Sequence, residues 1–249
     1  MLLAATAARA TDEIQLYNAE IAEVGQWTLE QHFNYAINAR NEPDFAGGLV
    51  PSHALNGTPE LAYGLFPWLE LGWYAPFVVD QNGRFYSDAG KFRTLFVVPD
   101  AAKRDFFYGV NFEFSYATPV FSQTKYNMEI RPIIGVRNSA YELIVNPIVD
   151  LGFGDDGGAE LTPAARIARK LKEDLSVGVE YYTDLGPIGN LLPLAQQQHN
   201  IYGVVDFKIG NFDVDFGVGY GLTRGSDRLM TKLIIGTDLN DPNLGAKKK

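Results

Sequence analysis

The chain has 249 residues, of which 46% are hydrophobic and 13% aromatic, with 25 Gly, no Cys, and 30 acidic residues against 21 basic ones. The lack of Cys excludes disulfide staples and thiolate metal sites, and the acidic balance argues against a nucleic-acid partner, Lys247-Lys248-Lys249 being the only basic cluster. No apolar run approaches the roughly 18 residues of a membrane helix, but a membrane barrel, whose apolar residues are diluted by alternation, stays open.

Residues 1 to 10, MLLAATAARA, end in Ala8-Arg9-Ala10 ahead of the polar Thr11-Asp12-Glu13 and read as a residual signal peptide. Residues 11 to 25 are expected as a periplasmic N-terminal segment. Within them E-I-Q-L-Y-N-A-E-I-A, Glu13 to Ala22, alternates and suits a short strand or a plug-like piece. Residues 26 to 239 are expected as a transmembrane β-barrel and 240 to 249 as a flexible C-terminal tail.

The pattern behind the barrel reading is clearest at Phe106 to Ala117, F-F-Y-G-V-N-F-E-F-S-Y-A. Phe106, Tyr108, Val110, Phe112, Phe114 and Tyr116 fall on one face of an extended strand, and Phe107, Gly109, Asn111, Glu113, Ser115 and Ala117 on the other. A long strand with one aromatic face and one small, polar face fits a position between lipid and a wet interior. The pattern recurs in twelve segments: 26–38, 58–65, 69–79, 92–98, 106–117, 126–136, 141–150, 161–171, 175–183, 200–209, 212–222 and 228–237. Several have the nine to eleven residues that a tilted strand needs to cross a bilayer.

Connections between the segments alternate in length. Residues 39–57, 80–91, 118–125, 151–160, 184–199 and 223–227 form the longer set, and 66–68, 99–105, 137–140, 172–174 and 210–211 the shorter. In an up-and-down antiparallel barrel this puts long loops at one end and tight turns at the other, as in outer-membrane barrels with short periplasmic turns. Setting each register by its apolar face turns eighteen charges inward: Glu30, Glu60, Glu70, Arg93, Glu113, Glu129, Arg131, Glu142, Asp150, Arg166, Lys170, Glu180, Asp206, Lys208, Asp213, Asp215, Arg228 and Lys232. Arg169 alone faces out. Outward aromatics fall in two belts, Trp27, Tyr63, Phe106, Tyr141, Phe207 and Phe212 near the turns and Tyr35, Phe77, Phe92, Tyr116, Tyr126, Tyr181 and Tyr220 near the loops.

Three stretches carry a resemblance: Glu60-Leu61-Ala62-Tyr63-Gly64-Leu65 with Trp68-Leu69-Glu70-Leu71-Gly72; Glu142 to Asp150, E-L-I-V-N-P-I-V-D; and Gly178 to Pro187, G-V-E-Y-Y-T-D-L-G-P. The chain resembles an uncharacterised proteobacterial family of outer-membrane β-barrels, similar to the transporters associated with phenol-degradation pathways. The resemblance spans most of residues 13 to 239 and implies barrel geometry more than chemistry. It also implies partners: outer-membrane lipid and lipopolysaccharide, the barrel-assembly machinery and a small-molecule solute. Many such barrels end on an aromatic residue read by that machinery, whereas this chain ends Leu244-Gly245-Ala246-Lys247-Lys248-Lys249.

Chemistry has few footholds. His32, His53 and His199 are far apart, His32 inward and the others in long loops, and spacing brings no metal or catalytic partner to any of them. A barrel lipid hydrolase needs Ser and His on the lipid side, and His32 points inward without an outward Ser. Gly152 to Gly158, G-F-G-D-D-G-G, lacks the oxygen series of a calcium loop and reads as a solvated turn. No catalytic residue, metal or cofactor is therefore expected. Arg93, Arg131, Arg166, Lys170 and Arg228 on one wall and Glu113, Glu129, Glu142, Glu180, Asp213 and Asp215 on another are the candidate lumen-lining residues of a constriction, the alternative being a salt-bridged filling.

The sequence thus points to a single-domain, twelve-stranded outer-membrane barrel serving as a passive channel or transporter for small solutes. A structural or surface-interaction barrel with a plugged lumen, loops 39–57 and 184–199 binding a partner, is the alternative. A soluble all-β lipid-binding protein is a third reading.

Overall fold

The computed structural model describes residues 13 to 240. The signal-like residues 1 to 10 and the basic tail lie outside them. Sixteen strands build one antiparallel sheet: β1 (Trp27–Asn38), β2 (Leu55–Phe66), β3 (Leu69–Tyr74), β4 (Phe77–Val79), β5 (Phe85–Ser87), β6 (Lys91–Val97), β7 (Phe106–Tyr116), β8 (Tyr126–Arg137), β9 (Tyr141–Asn146), β10 (Val149–Phe153), β11 (Ala159–Leu161), β12 (Ala164–Lys172), β13 (Leu175–Asp184), β14 (Gln198–Ile209), β15 (Phe212–Gly221) and β16 (Leu229–Asp238). Pairing of β1 with both β2 and β16 closes the sheet into a ring of twelve staves.

All twelve expected segments appear as staves, four of which are divided. The segment expected at 69–79 is β3 and β4, parted at Ala75-Pro76, both halves pairing with β2. The segment at 141–150 is β9 and β10, parted at Pro147, both pairing with β8. Proline cannot donate to a ladder, so it marks the break. Continuing the register places Pro132, Pro147 and Pro163 side by side across three neighbouring staves. The upper halves β4–β5 and β10–β11 form hairpins that extend the loop end.

The burial pattern inverts that of a water-soluble protein. Outward residues such as Phe106, Tyr108, Phe114, Tyr116, Ile167, Val179 and Tyr220 are exposed, while Glu60, Glu70, Arg93, Glu113, Glu129, Arg131, Glu180 and Lys232 are buried. A belt of exposed apolar side chains around buried charge is the surface a bilayer covers. Aromatic contacts cluster near the turns, with Trp27 against Tyr63 and Trp73, and recur near the loops at Tyr116 and Tyr126. The outward Arg169 stands over the Tyr141 ring, one stave away at the turn end.

Inside the ring, glycines make room for aromatic rings. Phe107 lies over Gly135 and Tyr202 over Gly219, each glycine being the register partner of its aromatic.

Candidate functional site

The lumen is shared between staves and an extended segment, residues 13 to 23. Expected on the periplasmic side, this segment instead runs within the ring, with Ile14, Leu16, Tyr17 and Ala19 buried. Its alternation supplies apolar side chains for the interior clusters, Leu16 and Tyr17 packing with Leu95, Phe107, Ile133 and Ile144. Its backbone is served by side chains of the wall, as a buried chain without a ladder requires. Asn146 accepts from Tyr17 N at 2.9 Å and donates to Tyr17 O at 3.1 Å. Arg131 donates to Gln15 O at 2.9 Å, Arg137 to Asn18 O at 3.1 Å, and Glu70 accepts from Ala22 N at 2.6 Å. Gly64 of β2 permits the closest approach, since any Cβ there would overlap the carbonyls of Ala22 and Glu23.

Two clusters of paired charge flank the segment. In the first, Arg93 donates to Glu60 at 2.8 Å and to Glu70 at 2.7 Å. Tyr17 Oη is 2.7 Å from Tyr74 Oη and donates to Glu113 at 3.1 Å, with Asn111 donating to the same Glu113 oxygen at 2.8 Å. Arg131 grips Glu129 through both oxygens, at 2.7 and 2.9 Å. In the second, Arg166 donates to Glu180 at 2.8 Å and also binds Asp206. Lys232 reaches Glu180 at 2.5 Å and Asp215 at 2.9 Å.

Of the candidate lining residues, Arg93, Glu113, Glu129, Arg131, Arg166, Glu180 and Asp215 are brought into these clusters. Bases and acids interleave there. Glu142 pairs with Arg137 at 3.1 Å towards the turns. Lys170 is exposed, Asp213 meets Lys208 at 3.0 Å in an exposed pair, and Arg228 donates to Gly221 O at the loop end. Lys232, the most buried cation of the second cluster, was turned inward by its register without being singled out. Its place between Glu180 and Asp215 depends on staves 52 and 17 residues away.

Two cavities lie on opposite sides of the segment. A volume of about 730 Å³ opens towards the turns and is lined by Glu20, Glu70, Arg166, Asp206, Asp213 and Asp238 among others. A volume of about 170 Å³ lies towards the loops beside Glu113, Arg131, Asp150, Asp184, Asn200 and Asp227. Gln15 lines both. Acids exceed bases by ten to five in the first lining and by seven to two in the second. At the outer mouth Arg40 ties the loop after β1 to Asp227 through Nε at 3.0 Å.

The histidines differ in setting. His32 is buried between Glu30 and Glu60. The His199 ring meets Tyr181 and Gln197, while Ser226 approaches the backbone of His199. Asp155 and Asp156 of the Gly-rich turn are exposed.

A closed twelve-stave ring, an apolar outer belt and a charged interior define the fold of an outer-membrane β-barrel. Among solved structures, the chain is similar to the COG4313 outer membrane channel from Pseudomonas putida F1, with a TM-score of 0.59, 11% identity, and 91% of this chain and 100% of that one covered. It is likewise similar to the NanC porin, with a TM-score of 0.57, 8% identity, and coverage of 84% and 97%. At such identities the likeness is one of fold. No family model and no curated protein sequence matches the chain.

Proposed function

We propose that the protein is a narrow passive channel for small solutes that favours cations. The observation that carries this is the pair of acidic cavities at the two ends of the lumen, which approach each other at Gln15. Fixed negative charge in a confined, partly desolvated passage raises the local concentration of cations and repels anions. The two solved proteins compared above are a channel and a porin. Solutes passing the Gln15 neck meet Arg93, Glu113, Glu129 and Arg131 on one side and Arg166 and Asp215 on the other, with Glu180 buried behind them, which makes these residues the constriction in this reading.

Single-channel recording in planar bilayers under a salt gradient tests it. Small conductance steps with a reversal potential of cationic sign are expected, and deletion of residues 13 to 22 is expected to raise the conductance several-fold. The burial of residues 13 to 23 favours a second reading, a structural or surface-interaction barrel with a plugged lumen. Steps that appear only after the deletion would establish that second reading, and silence from both proteins would sink the channel.

A further inference from the structure

Glu60, bound to Arg93 through one oxygen only, also belongs to a second group with Glu30 and His32. Glu30 and His32 stand two residues apart on the inner face of β1, and Glu60 is the register partner of Glu30 on β2. Two carboxylates directly opposed on neighbouring strands repel. Arg93 relieves one side only, since it binds Glu60 Oε1 and leaves Oε2 turned towards His32.

His32 is 1% exposed and Glu60 2%, and among the described residues neither ring nitrogen of His32 nor Glu60 Oε2 has a hydrogen-bond partner. Unsatisfied buried polar atoms are costly, and His32 Nε2 facing Glu60 Oε2 without a hydrogen bond between them requires an explanation. His32 Nε2 is 3.4 Å from Glu60 Oε2 and 3.6 Å from Glu30 Oε2, and one ligand atom from each residue lies within 4.8 Å of the others. Ligands at about 2.1 Å from a tetrahedral zinc ion stand about 3.4 Å apart. An imidazole with two carboxylates is a donor set for a borderline divalent ion, and the absence of thiolate directs it away from copper(I).

A fourth donor is at hand. Gln15 Nε2 sits 3.3 Å from Glu30 Oε2, and the Gln15 amide oxygen is itself buried without a partner. Turning that amide over places its oxygen beside Glu30 Oε2, the two orientations being equivalent in shape. Glu30 and Gln15 also line the 730 Å³ cavity, which gives an ion a route in from the turn end.

We infer that Glu30, His32 and Glu60 bind one divalent transition-metal ion of the zinc class, with Gln15 closing the site. The ion would join β1, β2 and the lumenal segment and remove the repulsion between the opposed carboxylates. This site stands independently of whether the lumen conducts.

The test is calorimetric titration of the full-length protein in detergent with Zn²⁺, after removal of bound metal by a chelator. One ion per chain is expected. Glu30→Gln and His32→Gln are each expected to weaken binding by about 100-fold. Glu30 is partly exposed and isosteric with glutamine, so Glu30→Gln reports on binding even where His32→Gln fails to fold, circular dichroism supplying the folding check. A His53→Gln/His199→Gln double variant is expected to bind as the parent does. Failure of the parent to bind, parental affinity in Glu30→Gln, or loss of binding in the double variant would each overturn the site.

Discussion

Lys232 has no solvent exposure, and its charge is balanced by Glu180 and Asp215 from staves on either side of β14. Burying a cation without partners costs several kcal/mol, and removing one partner of a buried pair leaves the same penalty on the other. Lys232→Met is therefore expected to destabilise the folded barrel by about 3 kcal/mol, read from urea unfolding in micelles. Pairing it with Asp215→Asn should recover part of the loss, because Glu180 keeps Arg166 while Asp215 is the carboxylate left stranded. A single variant as stable as the parent would show that Lys232 contributes little. The inward direction of Lys232 was legible from alternation in β16, but its partners were not. Alternation says which face a side chain takes, whereas the pairing arises from stave order around the ring. The same holds for His32, whose inward face was readable while the convergence of Glu60 on it needed the β1–β2 register.

The lumenal segment and β2 meet at a single small residue. Gly64 donates to Gln26 O and accepts from Gly25 N, and a side chain there has no room beside the carbonyls of Ala22 and Glu23. Gly64→Leu is expected to displace the segment while leaving the β2 ladder intact, so that single-channel conductance rises towards that of the protein lacking residues 13 to 22. Unchanged conductance in the substituted barrel would show that the segment does not limit passage. The twelve staves were legible because the period of two is repeated twelve times, whereas the short β5 (Phe85–Ser87) falls inside the expected loop 80–91. Where strands break was less so, since Pro76 and Pro147 sit in otherwise apolar runs and their effect depends on which neighbouring carbonyl faces the missing N–H. The placement of residues 13 to 23 was hidden for another reason. Their partners lie as far off as Asn146, 129 residues from Tyr17, and a segment of alternating character fits a sheet edge as well as a lumen.

Across the whole molecule, the outer surface rather than any motif marks the bilayer. Side chains such as Ile167 and Val179 project from the middle of β12 and β13, half exposed. In water a polar substitution at an exposed site changes stability by roughly 0.5 kcal/mol or less. In a bilayer the same position lies near the midplane, where an arginine costs about 2 to 4 kcal/mol, falling to about 0 to 1 near the interface. Val179 is central in β13, whereas Tyr220 is next to last in β15 at the loop end. Val179→Arg is thus expected to lower the unfolding free energy in lipid vesicles by about 3 kcal/mol, and Tyr220→Arg by less than about 1. Equal effects at the two depths would remove the lipid from the outer face. A graded effect ties the alternation first visible at Phe106 to Ala117 to the solvent that selects it.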